Sequence, residues 1–280
     1  MTYRLSIYNV ITGHINTVLF TERLIEAPNW HPDGYLLVNG EGLLFRVNLD
    51  NPDLEHIRIE GLEHLNNDHG ITPDGTTLIV SNSPKPFSSV IYSVAVQGGV
   101  PKKITPQSPS WWHGISPDGN TIAYTANRLG VFDIYTCPFV GGKEQKLTEC
   151  FDHTDGPDYS PDGEWIWFNG EREGSMNLWR MRHDGSDLER MTHDCSDDWF
   201  PHPSPDGKHV LYLAYEAGTD GHPRNRDVEL CLLNLDDGKT RVLLPLFGGQ
   251  GTINVPCWNS SGTGFAFIDV SKDEKVLEGA

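Results

Sequence analysis

The sequence predicts an all-β fold, a six-bladed β-propeller with four-stranded antiparallel blades, from three observations. A Pro-Asp-Gly turn recurs along the chain, and a second column of paired residues, aliphatic then mostly aromatic, recurs with the same period. No convincing amphipathic helix longer than two turns is found. Four-stranded units repeated about every 40 to 50 residues are typical of propeller blades.

The Pro-Asp-Gly column marks the turn between the first two strands of each repeat, here called strands A and B. The copies occupy residues 31–34 and 72–75, then Ser-Pro-Asp-Gly begins at Ser116, Ser160 and Ser204, and a worn copy lies at 259–262. Proline presets φ, Asp hydrogen-bonds nearby backbone and Gly accepts positive φ, so the tetrapeptide favours a tight hairpin. Recurrence in successive blades predicts an architectural role, and the three serines are not expected to be nucleophiles, since none lies in a G-x-S-x-G elbow.

The second column falls in strand C, the third strand of each repeat, and several copies continue through a Gly turn into a short strand D. The pairs are Ile7-Tyr8, Leu44-Phe45, Ile91-Tyr92, Ile134-Tyr135, Leu178-Trp179 and Leu230-Cys231. Segments rich in β-branched and aromatic residues, bounded by Gly, Pro and Asp, are typical of strands. Each repeat therefore predicts one blade of four strands.

The two ends of the chain predict how the ring closes. The chain starts with a C–D pair at residues 3–20 and ends with an A–B pair at residues 253–269, with five complete blades between them. Pairing of these half-blades forms a sixth blade and removes the free sheet edges. Residues 1–280 are thus expected to form a single propeller domain.

These repeats resemble the blades of the TolB-like six-bladed β-propeller family. PNWHPDG, GPDYSPDG and VPCWNSSG match the first half of that family's blade pattern, and DIYTCPFVGGKEQKLT matches the second half. The resemblance covers essentially the whole chain and implies the fold. The full family architecture adds an N-terminal domain and a periplasmic signal peptide, whereas this chain begins inside a blade, so an envelope role is not expected.

Composition and charge restrict the partners and the compartment. The formal net charge is −18 and no basic stripe is present, so nucleic acid is not an expected partner. No signal peptide and no apolar stretch of membrane-spanning length is recognised, which predicts no membrane insertion and a cytoplasmic protein, or a periplasmic one if a signal peptide has been removed. The five cysteines form no C-x-x-C motif, so neither a disulfide framework nor a zinc knuckle is predicted.

Candidate binding residues gather on the face that carries the D–A and B–C loops, opposite the Pro-Asp-Gly turns. The position four residues before the proline of each Pro-Asp-Gly turn is usually proline as well, but His69 and His113 replace it in adjacent blades. These positions begin strand A, the innermost strand, and should ring one mouth of the central channel. The candidate ligand-binding residues are Asn67, Asp68, His69, Trp111, Trp112, His113, His153, Asp155, Trp199, His202, Arg224 and Arg226.

Three functions are open at this point. The first is a non-catalytic propeller that binds a protein or a small polar ligand at the mouth, with no catalytic residue assigned. The alternative is a metal-dependent carbohydrate-active enzyme, a lyase or hydrolase, in which the rim histidines hold a divalent cation and tryptophans stack on a sugar. Oligogalacturonate lyases, seven-bladed propellers that hold a metal with histidines, resemble this layout in outline. A third interpretation is a structural domain in which the tryptophans fill gaps between blades.

Overall fold

The computed structural model describes residues 1–271 of the protein, and these form a six-bladed β-propeller of 23 strands. The N-terminal end supplies β1 (Thr2–Asn9) and β2 (Ile15–Thr21). The next two blades contain β3 (Glu26–Trp30), β4 (Leu36–Gly40), β5 (Leu43–Val47) and β6 (Glu55–Ile57), then β7 (Leu65–Ile71), β8 (Thr77–Asn82), β9 (Val90–Ala95) and β10 (Lys102–Lys103).

Three further blades and one terminal strand complete the ring. Blade 3 contains β11 (Ser110–Ile115), β12 (Thr121–Arg128), β13 (Val131–Pro138) and β14 (Gln145–Lys146). Blade 4 contains β15 (His153–Tyr159), β16 (Trp165–Arg172), β17 (Ser175–Arg182) and β18 (Glu189–Arg190). Blade 5 contains β19 (Asp197–Pro203), β20 (His209–Tyr215), β21 (Arg224–Asn234) and β22 (Thr240–Gly249), and β23 (Gly264–Ser271) follows.

The closing blade differs from the other five. Its sheet has the order β2–β1–β23, with β1 antiparallel to β23 and Leu5 opposite Ile268. The sequence predicts a fourth, innermost strand from residue 253, but this segment joins the sheet only through a bridge between Trp258 and Phe265 and a few backbone hydrogen bonds.

None of residues 1–271 lies in a helix that is long and apolar enough to span a bilayer.

The Pro-Asp-Gly segments form the turns between the first two strands of each blade. In the Ser116 copy, the hydroxyl donates to Asp118 Oδ1 at 2.5 Å and accepts the Thr121 N–H at 3.0 Å. The Ser160 and Ser204 copies repeat the Ser-to-Asp hydrogen bond. These hydroxyls therefore hold the hairpin together, as local side-chain hydrogen bonds in turns do.

Large side chains pack between neighbouring blades. The Trp112 side chain is fully buried and lies against Gly70 of the preceding blade, where a Cβ atom would stand 1.9 Å from the indole ring. Contacts of this kind fix each blade against its neighbour, because protein interiors are close-packed.

A bulge interrupts each of the five complete innermost strands near the same end of the channel. The register shifts between Leu65 and His69 in β7, between Trp112 and Gly114 in β11, and between Asp155 and Asp158 in β15. A bulge adds a residue to one strand and redirects the side chains beside it. Near these bulges, side chains from several blades turn toward one mouth of the channel.

Candidate functional site

A cavity of about 580 Å³ lies at the channel mouth on the face opposite the Pro-Asp-Gly turns. It is enclosed by the innermost strands of blades 2 to 4, by the β8–β9 loop, and by the loop that precedes β21. Its lining includes seven of the residues predicted from sequence: Asn67, Asp68, Trp111, His113, His153, Asp155 and Arg224. Small-molecule sites typically have volumes of about 300 to 1,000 Å³.

Asp155 occupies the centre of the polar part of this cavity. Its Oδ1 atom accepts hydrogen bonds from the Thr125 hydroxyl at 2.6 Å and the Gly156 N–H at 2.8 Å, and it lies 3.1 Å from His113 Nε2. Burial raises the pKa of Asp155, but hydrogen bonds from His113 and His222 outweigh that effect and hold the pKa well below its usual value. Asp155 is therefore an ionised carboxylate inside the protein.

His113 is the imidazole partner of this carboxylate. Burial alone would lower the pKa of His113, but the hydrogen bond to Asp155 and the charges of Asp155 and Asp68 raise it. The Nε2 atom lies 3.9 Å from Asp68 Oδ1 as well as within hydrogen-bond reach of Asp155. Nδ1 faces the backbone of Asn254 without a well-formed hydrogen bond.

Asp68 is the second buried carboxylate of the mouth. Burial raises its pKa to about 6, against the opposing charge of His113. Its Oδ1 atom accepts a hydrogen bond from Asn254 Nδ2 at 2.7 Å, which joins blade 2 to the closing blade across the channel. The protonation of Asp68 therefore changes close to neutral pH, unlike that of Asp155.

His222 is a cavity residue that the sequence reasoning missed. It lies on the long loop between β20 and β21, and its Nε2 atom is 3.5 Å from Asp155 Oδ2. Its ring packs against Trp199 at 4.4 Å between centroids and against Phe200 at 5.0 Å. The available signal in the sequence was the His-Pro pair at residues 222 and 223, within the long loop between strands B and C of blade 5.

An ion pair between Arg224 and Glu26 anchors the same loop. The Arg224 guanidinium contacts Glu26 through both Nε and Nη2, the latter at 2.8 Å. Glu26 is buried, and burial raises its pKa against the lowering effect of Arg224. Arg226, the other predicted loop arginine, is exposed on β21 and does not line the cavity.

Aromatic rings form one wall of the cavity. Trp111 packs against Phe132, with ring centroids 5.6 Å apart, and His153 stacks on the other side of this group at 4.8 Å from Phe132. Phe87 stands at the rim, 68% exposed, with its ring edge toward Trp111. Burial lowers the pKa of His153, so this imidazole is neutral near pH 7.

Five of the predicted residues lie outside the cavity lining, and all of them except the exposed Arg226 are buried. Trp112 and Trp199 are buried in the hydrophobic core, His69 is buried beside the backbone of Leu37, and burial lowers the pKa of His69 to about 3. His202 is held in the interior between Asp158 Oδ2 at 3.0 Å and the Ile253 carbonyl at 2.6 Å. The bulges explain this placement, since neighbouring side chains of a strand point to opposite sides.

Several buried polar atoms at the mouth have no hydrogen-bond partner in the structure. They are Asn67 Nδ2, His153 Nε2 and His222 Nδ1. Buried polar groups are normally satisfied, so unpartnered groups beside a cavity call for an explanation such as a bound molecule. Within residues 1–271, no group of three or more His, Cys, Asp or Glu side chains is arranged to hold a metal ion.

A second cavity, the β21–β22 groove, has a larger volume of about 870 Å³. It is lined by apolar residues of the two strands, with Glu216 and Glu229 among its polar members. It contains none of the predicted site residues and none of the unpartnered buried atoms. The mouth is therefore the better candidate despite its smaller volume.

Comparison with known proteins gives a consistent set of relatives. Residues 106–277 match the family model of the TolB β-propeller domain. An uncharacterised protein of Agrobacterium fabrum is 46% identical over 270 residues, which cover 96% of this chain and 92% of that protein. A solved structure from Agrobacterium tumefaciens, provisionally assigned as TolB, has a TM-score of 0.94 at 45% identity and covers 98% of this chain and 99% of its own.

More distant solved structures share the fold. TolB of Acinetobacter baumannii has a TM-score of 0.69 at 21% identity, over 89% of this chain and 64% of that one. An oligogalacturonate lyase of Vibrio parahaemolyticus has a TM-score of 0.57 at 14% identity, over 94% of this chain and 76% of that one. Similarity at this level concerns the fold, which hosts many functions.

Proposed function

The chain belongs to the TolB β-propeller family, and we propose that within this fold it acts as a binding protein that holds a small polar ligand in the channel mouth. The observation that carries the proposal is the ionised Asp155 between two histidines, in a cavity where Asn67 Nδ2, His153 Nε2 and His222 Nδ1 have no hydrogen-bond partner. Perturbed ionisable groups that converge in a pocket are typical of functional sites.

The buried charges support a binding role for this cavity. Asp155 and Asp68 are both buried, and each carboxylate is costly to keep ionised away from water. His113 offsets part of this cost, and the cavity still leaves Asn67 and His153 with unsatisfied polar atoms. A polar ligand that enters the mouth satisfies these groups, which gives the arrangement a purpose beyond folding.

The low pKa of Asp155 favours ligand binding over proton transfer for this residue. A general base works best when its pKa lies near the operating pH. The pKa of Asp155 lies well below that range, and three donors already occupy Oδ1. We therefore assign Asp155 to ligand binding and give it no proton-transfer role.

Ligand titration of paired variants tests the proposal. A thermal-shift screen of cationic, anionic and neutral polar small molecules first identifies a ligand, and calorimetry then compares the wild type with Asp155→Asn and His222→Gln. Each variant should lose about tenfold to a hundredfold in affinity, because a hydrogen bond to a charged group contributes about 1.5 to 3 kcal/mol. The exposed Arg226→Gln serves as the control and should bind as the wild type does.

Folding of the variants must be checked by circular dichroism and by thermal melting. Unchanged affinity in folded Asp155→Asn and His222→Gln proteins would exclude the mouth as the binding site. The mouth would also be excluded if every ligand found in the screen bound these variants with wild-type affinity.

A protein partner is the second candidate occupant, and the exposed apolar rim favours it. Phe87 lines the cavity and is exposed, and Leu129 and Val131 are exposed at the β12–β13 turn, next in sequence to the lining residue Phe132. Exposed apolar side chains grouped beside a cavity are common in protein interaction sites. If a partner docks here, Leu129→Ser should weaken its capture by the immobilised protein, whereas Asp155→Asn alone should have a smaller effect.

A further inference from the structure

The two sides of the mouth cavity differ in chemistry. One side is the aromatic wall of Trp111, Phe132 and His153, and the other is the polar floor of Asp68, His113 and Asp155. A ligand that fills the cavity must therefore present an apolar face to one side and polar groups to the other.

We infer that the ligand is an uncharged, hydroxyl-bearing ring of the saccharide class, stacked on Trp111 and hydrogen-bonded to the polar floor. This inference rests on the proposed function and specifies the ligand of the same site. It depends on three features of the cavity: its hydrogen-bonding groups, its charge balance and its single aromatic wall.

The hydrogen-bonding groups require a ligand that both donates and accepts. Asn67 Nδ2 is a donor without an acceptor, whereas the ionised Asp155 presents an acceptor, Oδ2, whose one neighbour is at 3.5 Å. The imidazole nitrogens His153 Nε2 and His222 Nδ1 can play either part. Hydroxyl groups donate one hydrogen bond and accept two, so a ring with several hydroxyls matches this mixed set.

The charge balance favours an uncharged ligand. Asp68 and Asp155 are offset by His113 and by Lys85 at the rim, and Arg224 is already paired with Glu26. An anion would enter against two buried carboxylates, and a cation would enter against His113 and Lys85. A charge that is buried without a compensating partner is unfavourable, whether the ligand is an anion or a cation.

The aromatic wall is one-sided, which separates a saccharide from a planar heterocycle. The Trp111 and Phe132 rings are inclined by 32° and Phe87 is nearly perpendicular to Trp111, so no parallel pair of rings forms a slot. A flat base prefers contact on both faces, whereas a pyranose has one C–H-rich face and a polar rim. A single wall opposite a polar floor fits the pyranose.

A matched ligand panel tests the inference. Saturation-transfer NMR and calorimetry would measure the methyl pyranosides of glucose, galactose and mannose, with glucosamine, glucuronate and adenosine as charged and planar counterparts. At least one neutral pyranoside should bind about tenfold more tightly than its charged counterparts. Trp111→Ala should lower that affinity by about tenfold, and Trp111→Phe should restore most of it, because the phenyl ring keeps a stacking face.

Phe20→Ala provides the aromatic control, since Phe20 is exposed on β2 and does not line the cavity. Preference for glucosamine, glucuronate or adenosine, absence of pyranoside binding at millimolar concentration, or normal affinity in Trp111→Ala would each overturn the inference. If another small molecule binds in an Asp155-dependent manner while no pyranoside binds, the saccharide assignment fails and the proposed function stands. If no ligand of any class depends on Asp155, the proposed function fails.

Discussion

The buried carboxylate of Asp68 gives a prediction that can be worked out in magnitude. Burial raises its pKa from the usual 3.8 to about 6, so the folded protein holds this proton more tightly than the unfolded chain does. A shift of about two units corresponds to about 3 kcal/mol, at about 1.36 kcal/mol per unit. The folded protein loses this much stability because buried Asp68 must ionise. The loss is absent below pH 4, develops as the pH rises toward 6, and is complete above pH 6.

The substitution Asp68→Asn removes the ionisable group and keeps an oxygen to accept from Asn254 Nδ2. We expect the variant to be more stable than the wild type by about 1 to 3 kcal/mol at pH 7.5. The gain can fall short of the full 3 kcal/mol because the new amide nitrogen needs hydrogen-bond partners of its own. The difference should shrink as the pH falls from 6 toward 4. Asp68 contributes most of this difference, and His113 contributes a smaller part because the charge of Asp68 raises its pKa.

Urea denaturation at several pH values between 4.5 and 8 measures this difference. Asp33→Asn is the matched control, because Asp33 is 81% exposed and pays no burial cost; its difference from the wild type should be small at every pH. A stability difference for Asp68→Asn that does not change between pH 4.5 and 7.5 would refute the reasoning. So would a variant that is less stable than the wild type above pH 6.

Three further substitutions test other parts of the account. Arg224→Gln should weaken ligand binding and lower stability by about 1 to 2 kcal/mol in urea denaturation, because it breaks the ion pair that holds the His222 loop to the buried carboxylate of Glu26. The control Arg226→Gln should change stability by less than about 0.5 kcal/mol. Gly70→Ala should lower the free energy of unfolding by about 3 kcal/mol or more, because the new Cβ meets the indole of Trp112. In a Trp112→Phe background the same substitution should lower it by less, and calorimetric melting of the single and double variants would measure this non-additivity. Ser116→Ala should lose about 1 kcal/mol of stability and leave ligand affinity unchanged, which equal affinities by calorimetry would verify.

Much of the fold could be predicted because the repeats carry their own turn chemistry. Pro-Asp-Gly presets a hairpin whatever surrounds it, and five such turns at a near-constant spacing specify blades. The all-β six-bladed fold and the TolB resemblance are confirmed. The closing blade differs in detail, since its innermost segment from residue 253 pairs with β23 only through one bridge and a few backbone hydrogen bonds. The single-domain organisation stays a prediction.

The candidate site was less predictable, because the repeats show where a residue lies in its blade but not which way its side chain points. His113 and His69 occupy the same column in adjacent blades, yet His113 faces the cavity and His69 is buried in the interior. The bulges redirect side chains by a residue or two, and the sequence does not show where a bulge falls. His222 was missed because it lies in an irregular insertion, where no period constrains its position.

A crystal structure of the protein soaked with a neutral methyl pyranoside tests the central claim most directly. The account predicts density for the sugar ring at the channel mouth, with one face against Trp111 and hydroxyls within hydrogen-bond distance of Asp155 and Asn67. Density for the ligand in the β21–β22 groove, with the mouth occupied only by water, would contradict it.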